Sequence, residues 1–193
     1  MATIFAHAVC AAAAGMVFAT LPLVKGPQPL RLPFRFWLLA AGCAMLPDAD
    51  VAGFAAGVRY GDVFGHRGLT HSIFFALITG LLAARIFFRN SLLPVGRVAL
   101  TSYFSLMTLS HGCLDAMTDG GLGVAFFAPF ENTRHFFPWK PIEVSPIGTR
   151  FFSARGVEVM LSELEWIWLP SLVMMAVCAL LRQWRMKERT EAA

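Results

Sequence analysis

The stretch VALTSYFSLMTLSHGCLDAM, residues 98–117, decides the fold. It has the length of one helical bilayer crossing, which takes about 20 residues. Within it His111 and Asp115 stand four residues apart, on one face of a helix. An ionisable pair in a membrane-length segment is costly and marks a functional site by default. Asp119 would continue the stripe by one more turn, but it falls in the turn-like run Thr118-Asp119-Gly120-Gly121.

The rest of the composition agrees with a membrane setting. The chain has 193 residues, of which 57% are hydrophobic and only 15% charged, and its mean hydropathy is +0.62. A soluble domain of this size carries more charge. The length fits one multi-pass domain over 1–193. The net charge of +4 sits at the ends of apolar runs and forms no single patch, which excludes a nucleic-acid partner. Cys10, Cys43, Cys113 and Cys178 all lie in apolar stretches without a CxxC pair, so they read as small buried hydrophobes. No basic region precedes the first apolar run, which is therefore expected to be a retained helix and not a signal peptide.

Five spans are expected, at 3–24, 34–56, 69–88, 98–117 and 166–181. The fold class is an all-α membrane protein, a bundle of about five transmembrane helices. An outer capping loop is expected at 118–165 and a basic cytoplasmic tail at 182–193. Pro47 ends or kinks the second span because it cannot donate the interior hydrogen bond; the Ala-Gly-rich stretch 51–57 is then re-entrant or a short outer helix. Loops one and three plus the tail carry ten basic residues, Lys25 and Arg189 among them, against six on the other side. The positive-inside rule places the ten in the cytoplasm and the N-terminus outside. Asp48, Asp50, His66, His71, His111, Asp115 and even His7 then all fall near the outer face, a convergence that the charge count did not use.

Each of these residues has a plainer reading. Asp48 and Asp50 follow a proline at a helix end, where an ordinary interfacial loop competes with a pair of oxygen ligands; two such carboxylates repel unless a cation or proton lies between them. His66 and His71 flank Arg67, Gly68 and Thr70, and neutral imidazole suits zinc, manganese or iron. Arg67 could neutralise a headgroup or pair with phosphate or carboxylate oxygens. Thr70 and Ser72 read as helix caps or as donors behind the ligands. His7, alone in an alanine-rich helix, is packing or ligand in equal measure. The aromatic, proline-rich segment after Gly120 is a packed cap, or a substrate shelf carrying Asn132, Arg134 and His135.

The order Leu46-Pro47-Asp48-x-Asp50, His66-Arg67-Gly68-x-Thr70-His71-Ser72, then His111-x-x-x-Asp115-x-x-Thr118 resembles the YdjM-like family of inner-membrane proteins described as metal-dependent hydrolases, some of them LexA-regulated. Phe136-Phe137-Pro138-Trp139 and Ser145-Pro146-Ile147-Gly148 are similar to that family as well, and an early histidine matches His7. Nothing in the sequence ties this chain to DNA damage, so that regulation is not carried over. The resemblance implies a bacterial inner-membrane hydrolase with a metal site. With it, the expectation is a site on the periplasmic side that holds one or two divalent ions, zinc or else manganese or iron. The ligands would be Asp48, Asp50, His66, His71, His111, Asp115 and His7, with Arg67 and Asp119 as catalytic residues. The substrate would be a membrane lipid or lipid-linked phosphoester. The alternatives are a metal-binding or metal-transport protein without hydrolysis, and a metal that only staples helices.

Overall fold

The computed structural model describes residues 1–21, 30–89 and 95–191, with the side chains of Arg189 and Thr190 left out. The expected end of the first span, Lys25 and the Arg189 side chain therefore lie outside the described part. The described chain is helical, without a strand: α1 Ile4–Thr20, α2 Phe34–Met45, α3 Ile73–Phe87, α4 Arg97–Ala116, α5 Ala154–Glu163 and α6 Leu169–Glu191. A π-turn, Leu164–Trp168, joins α5 to α6. Two isolated β-bridges, Thr118 with Ile142 and Val124 with His135, tie the long loop after α4.

Local chemistry sets the helix ends. Thr3 caps α1 by accepting the Ala6 N–H. Leu21, already extended, closes α1, as expected for a residue ahead of a proline. The second helix changes character at Pro47: Leu46–Ala56 continues as a 3₁₀-helix. Proline has no N–H for the α-helical bond, and the chain winds on with the tighter repeat until Gly57, at φ 80°, stops it. The third helix begins at Ile73 and not at the expected residue 69, because Leu69–His71 forms a separate 3₁₀ turn and Ser72 caps α3 by accepting the Phe75 N–H.

The last helix departs most from expectation. It starts at Ala154, inside the segment expected to be loop to 165, and runs to Glu191 through the expected tail boundary at 182. Its leading turns are amphipathic. Gly156, Val159 and Glu163 are buried, while Arg155 reaches Glu158 on the open face. An amphipathic stretch is a helix without being an apolar run.

Two helical segments are long and apolar enough to cross a membrane, Phe34–Ala56 and Ala154–Glu188, and Ile4–Thr20 and Ile73–Phe87 are shorter apolar helices. Their outward residues, such as Leu77 and Ile86 on α3 and Leu172, Val173 and Leu180 on α6, are exposed.

Packing gives the bundle two poles. The start of α1, the end of α2, the start of α3 and the end of α4 meet at one pole: His7 stacks on His111, and Ala44 O lies 2.7 Å from His111 Nδ1. At the other pole Arg185 donates to Thr20 O at 2.7 Å. Between them lies an aromatic core centred on the fully buried Phe36, with ring centroids 4.7 Å from Tyr103, 5.4 Å from Phe104 and 5.6 Å from Phe18. The α3 and α4 backbones approach closely at Gly80, where an added Cβ would stand 2.1 Å from Ser105 Oγ and 2.4 Å from Ser105 N. Small residues at such crossings let apolar helices pack without a hydrophobic driving force between them.

Gly80→Val is expected to separate α3 from α4, costing about 1–3 kcal/mol or more. Gly42→Ala, whose Cβ meets nothing within 4 Å, is the control. Thermal unfolding in detergent should show a lowered midpoint for the first and none for the second; equal midpoints would refute this packing.

Candidate metal centre

Four elements deliver the polar residues to one pole. The 3₁₀ segment after α2 carries Asp48 and Asp50, and α4 carries His111 and Asp115. The coiled loop 57–72 carries His66, Arg67, Thr70 and His71, and α1 adds His7. Gly65 and Gly68 let that loop coil: a Cβ at either would come within 2.2 Å of a carbonyl oxygen.

Asp48, His71, His111 and Asp115 each offer one ligand atom, and the four atoms lie within 4.8 Å of one another. His111 Nε2 is 3.2 Å from Asp48 Oδ1 and 4.0 Å from Asp115 Oδ2. His71 Nε2 is 3.8 Å and 3.6 Å from the same two oxygens. All four side chains are at least nine-tenths buried. Yet His71 Nε2, His111 Nε2 and both Asp48 oxygens have no hydrogen-bond partner, and Asp115 Oδ2 meets only the Arg67 guanidinium. Buried polar atoms normally have one. Here one atom of each of the four residues faces the others.

The other ring nitrogens fix the tautomers. His111 Nδ1 faces the Ala44 carbonyl, which can only accept, so Nδ1 carries the proton and the Nε2 lone pair points into the cluster. His71 Nδ1 lies 3.2 Å from Asp50 Oδ2 and 3.0 Å from Thr70 Oγ1. A histidine whose far nitrogen is held by a carboxylate or carbonyl is the usual arrangement behind a metal-ligating imidazole.

Asp50 and His66 stand one layer back. Asp50 Oδ1 pairs with His66 Nδ1 at 2.7 Å. Its Oδ2 accepts from Thr70 Oγ1 at 2.7 Å and from the Arg67 N–H at 3.2 Å. With His71 these two form a second ligand-competent group, but one whose facing atoms already satisfy each other. His7 stacks on His111 at 3.7 Å, with Nε2 4.0 Å from Asp115 Oδ1; it lies beside the group of four and not within it.

Arg67, expected to meet substrate oxygens, is fully buried and engaged. Nη1 donates to Gly120 O, Nη2 donates to Thr118 Oγ1, and Nε lies 3.0 Å from Asp115 Oδ2. Its backbone sits at φ 63°, rare for a residue with a Cβ. It is held there by its N–H on Asp50 and by its carbonyl, which accepts the Ala125 N–H. This is a positioning residue for Asp115.

Asp119, expected beside it as a catalytic group, is outside the cluster. The chain leaves the helix at Met117, which breaks the stripe, and the half-exposed carboxylate accepts the Val144 N–H and faces Arg155.

The loop after α4 closes over this pole. Phe137 N–H donates to Ala116 O and Ile73 N–H to Phe126 O. Arg134 and Asn132, candidates for a shelf, bond the carbonyls of His66, Tyr60, Asp62 and Gly61 and clamp the coiled loop. Sequence reasoning missed two supports. The Ala2 N–H donates to Asp115 Oδ1 at 2.8 Å. Glu163, fully buried, accepts from the N–H and hydroxyl of Thr3. Nothing in the sequence sets Glu163 apart from its neighbours Glu158 and Glu165.

The model of the YdjM inner membrane protein family matches residues 1–188. The chain belongs to that family. This member is also 43% identical over 143 residues to the inner membrane protein YbcI of Escherichia coli (strain K12), covering 72% of this chain and 82% of that one. No solved structure matches it. Membership places it among inner membrane proteins.

Arg67→Ala should leave Asp115 as an unpaired buried charge and destabilise the protein by about 3–5 kcal/mol. Adding Asp115→Asn should recover part of the loss. Denaturant unfolding of the two variants in detergent reads this, and wild-type stability in the single variant would count against the pairing.

Proposed function

We propose that this protein is a divalent-metal-dependent hydrolase of the inner membrane, with Asp48, His71, His111 and Asp115 holding the ion. The observation that carries the reading is the set of four buried ligand atoms turned toward one another, those of Asp48, His71 and His111 without a hydrogen-bond partner. Charge supports it. Asp115 is answered by the Arg67 guanidinium, whereas Asp48 is buried with neither oxygen hydrogen-bonded, a negative charge that a bound cation would balance. Imidazole and carboxylate donors suit zinc, manganese or iron. When bound, such an ion acts as a Lewis acid and lowers the pKa of water.

The chain's own residues prepare that chemistry. Asp50 with Thr70, and the Ala44 carbonyl, aim the two imidazoles. Arg67 and the Ala2 amide hold Asp115. The packed loop with Val124, Ala125 and Phe126 buried limits water. Asp48, with 8% of its side chain exposed, is the most open of the four donors and marks the approach. Beneath the cluster lies the aromatic core around Phe36 and Phe104, where among the described residues no charged or histidine side chain is buried, which favours hydrolysis over transport. A metal that only staples helices is the second reading, favoured by the full burial of His71, His111 and Asp115.

The substrate reading follows from position. We place five helical passes across the bilayer, with the arginines of the far pole (Arg31, Arg35, Arg85, Arg89, Arg97, Arg182 and Arg185) in the cytoplasm. The site then opens at headgroup depth on the periplasmic side, which suits a lipid or lipid-linked phosphoester.

Metal analysis of purified protein should find roughly one divalent ion per chain or more. Asp48→Ala and His111→Ala should lose both the ion and hydrolysis in a lipid and phosphoester screen. Metal retained in both variants would reject the ligands; full activity after chelation would reject the mechanism; metal without any hydrolysis would leave the structural reading. For orientation, a cysteine at exposed Thr149 should be labelled from outside intact cells, and labelling only after lysis would reverse the topology.

A further inference from the structure

The far pole carries a second feature, unrelated to the metal centre. Arg85 and Arg89 at the end of α3 and Arg97 at the start of α4 surround a cavity of about 650 Å³. None of the three makes a hydrogen bond or ion pair among the described residues. Gly96 provides no side-chain cap for α4, whose first N–H groups have no partner within the helix and lie on the same side. Three like charges held together without a counter-charge repel one another, and an anion relieves that cost. The acidic residues of this pole, Glu188 and Glu191, lie at the end of α6, where Glu191 already faces Lys187.

The cavity does not stand alone. Ile86, on its wall, also lines an apolar groove of about 470 Å³ between α2 and α3. The groove passes Leu39, Gly42 and Cys43 on one side and Ile78 and Leu82 on the other. From Phe75 to Ile86 it follows α3 for about 16 Å. A cationic pocket that shares the Ile86 wall with a long apolar trough facing the bilayer has the charge pattern of one kind of molecule, an anionic amphiphile.

We infer that an anionic phospholipid binds here, its phosphate among Arg85, Arg89 and Arg97 and an acyl chain in the groove between α2 and α3. A free phosphate would satisfy the arginines and leave the groove open. A zwitterionic lipid would fill the groove, but its own cation would compete with the guanidiniums for the phosphate. The occupant is therefore a lipid with net negative charge. It sits at the pole opposite the metal centre, so it serves as a bound structural lipid and not as that centre's substrate.

The test uses the full chain purified in detergent, titrated with phosphatidylglycerol, phosphatidylcholine or glycerol phosphate, with bound molecules counted by native mass spectrometry. Phosphatidylglycerol should bind more tightly than the other two. The triple variant Arg85→Gln, Arg89→Gln, Arg97→Gln should weaken it by on the order of a hundredfold while leaving phosphatidylcholine unchanged. Gly42→Leu keeps every charge and projects into open space; it should weaken phosphatidylglycerol by filling the groove. Arg89→Gln alone serves if the triple variant does not fold. Equal binding of the two lipids by wild type, or unchanged phosphatidylglycerol binding in the arginine variants, would overturn the site. Unchanged binding in Gly42→Leu, or glycerol phosphate binding as tightly as the lipid, would overturn the placement of the chain.

Discussion

Negative charge that has been taken out of water must be answered nearby, and this protein is arranged around that demand. Asp115 is fully buried at the end of α4. It draws in the Arg67 guanidinium, the Ala2 amide and the Nε2 faces of His71 and His111. The partners come from the N-terminal segment, the coiled loop and α4 itself, so one carboxylate fixes where α1 starts and where the coiled loop turns against α4. Arg67 in turn needs Gly120 and Thr118 for its remaining donors, and this ties the loop after α4 to the same point. The left-handed backbone at Arg67 is tolerated because both of its flanking backbone groups are bonded.

The bundle then separates two kinds of chemistry along its axis. Carboxylates and imidazoles occupy one pole, arginines the other, and aromatic rings fill the space between. Such a core is a poor conduit and a good spacer. It keeps the cluster in a low-dielectric setting, where an unmatched ligand atom is costly and a cation is held strongly. The exposed leucines and valines of α3 and α6 fit the same setting, because apolar surface of that extent is stable against lipid and not against water.

Much of the site was legible because its residues are the wrong kind for their surroundings. His111 and Asp115 stand out in an apolar run, and helical spacing alone puts them on one face. Asp48 and Asp50 stand out behind a proline. Their division of labour was not legible. Asp48 and Asp50 are two residues apart with the same chemistry, yet Asp48 leaves both oxygens without a hydrogen bond and turns Oδ1 toward the cluster, while Asp50 spends both on His66, Thr70, Arg67 and His71. Asp119 shares the helical stripe on paper and loses it because the helix stops three residues earlier. Arg67 reads as a free cation in a loop and is instead among the most enclosed side chains of the fold. The amphipathic start of α5 escaped a reading keyed on apolar runs, and Glu163 with it.

By itself the sequence determined the helical class, the membrane setting and the stock of candidate ligands, because composition and helical period are properties of local stretches. Only the tertiary structure decided which side chains share an atom's breadth of space and which merely support them. That choice depends on close approaches between residues such as Ala2 and Asp115, or Arg67 and Thr118, far apart in the chain. No local pattern encodes such a meeting; it is set by how four segments satisfy one buried charge at once.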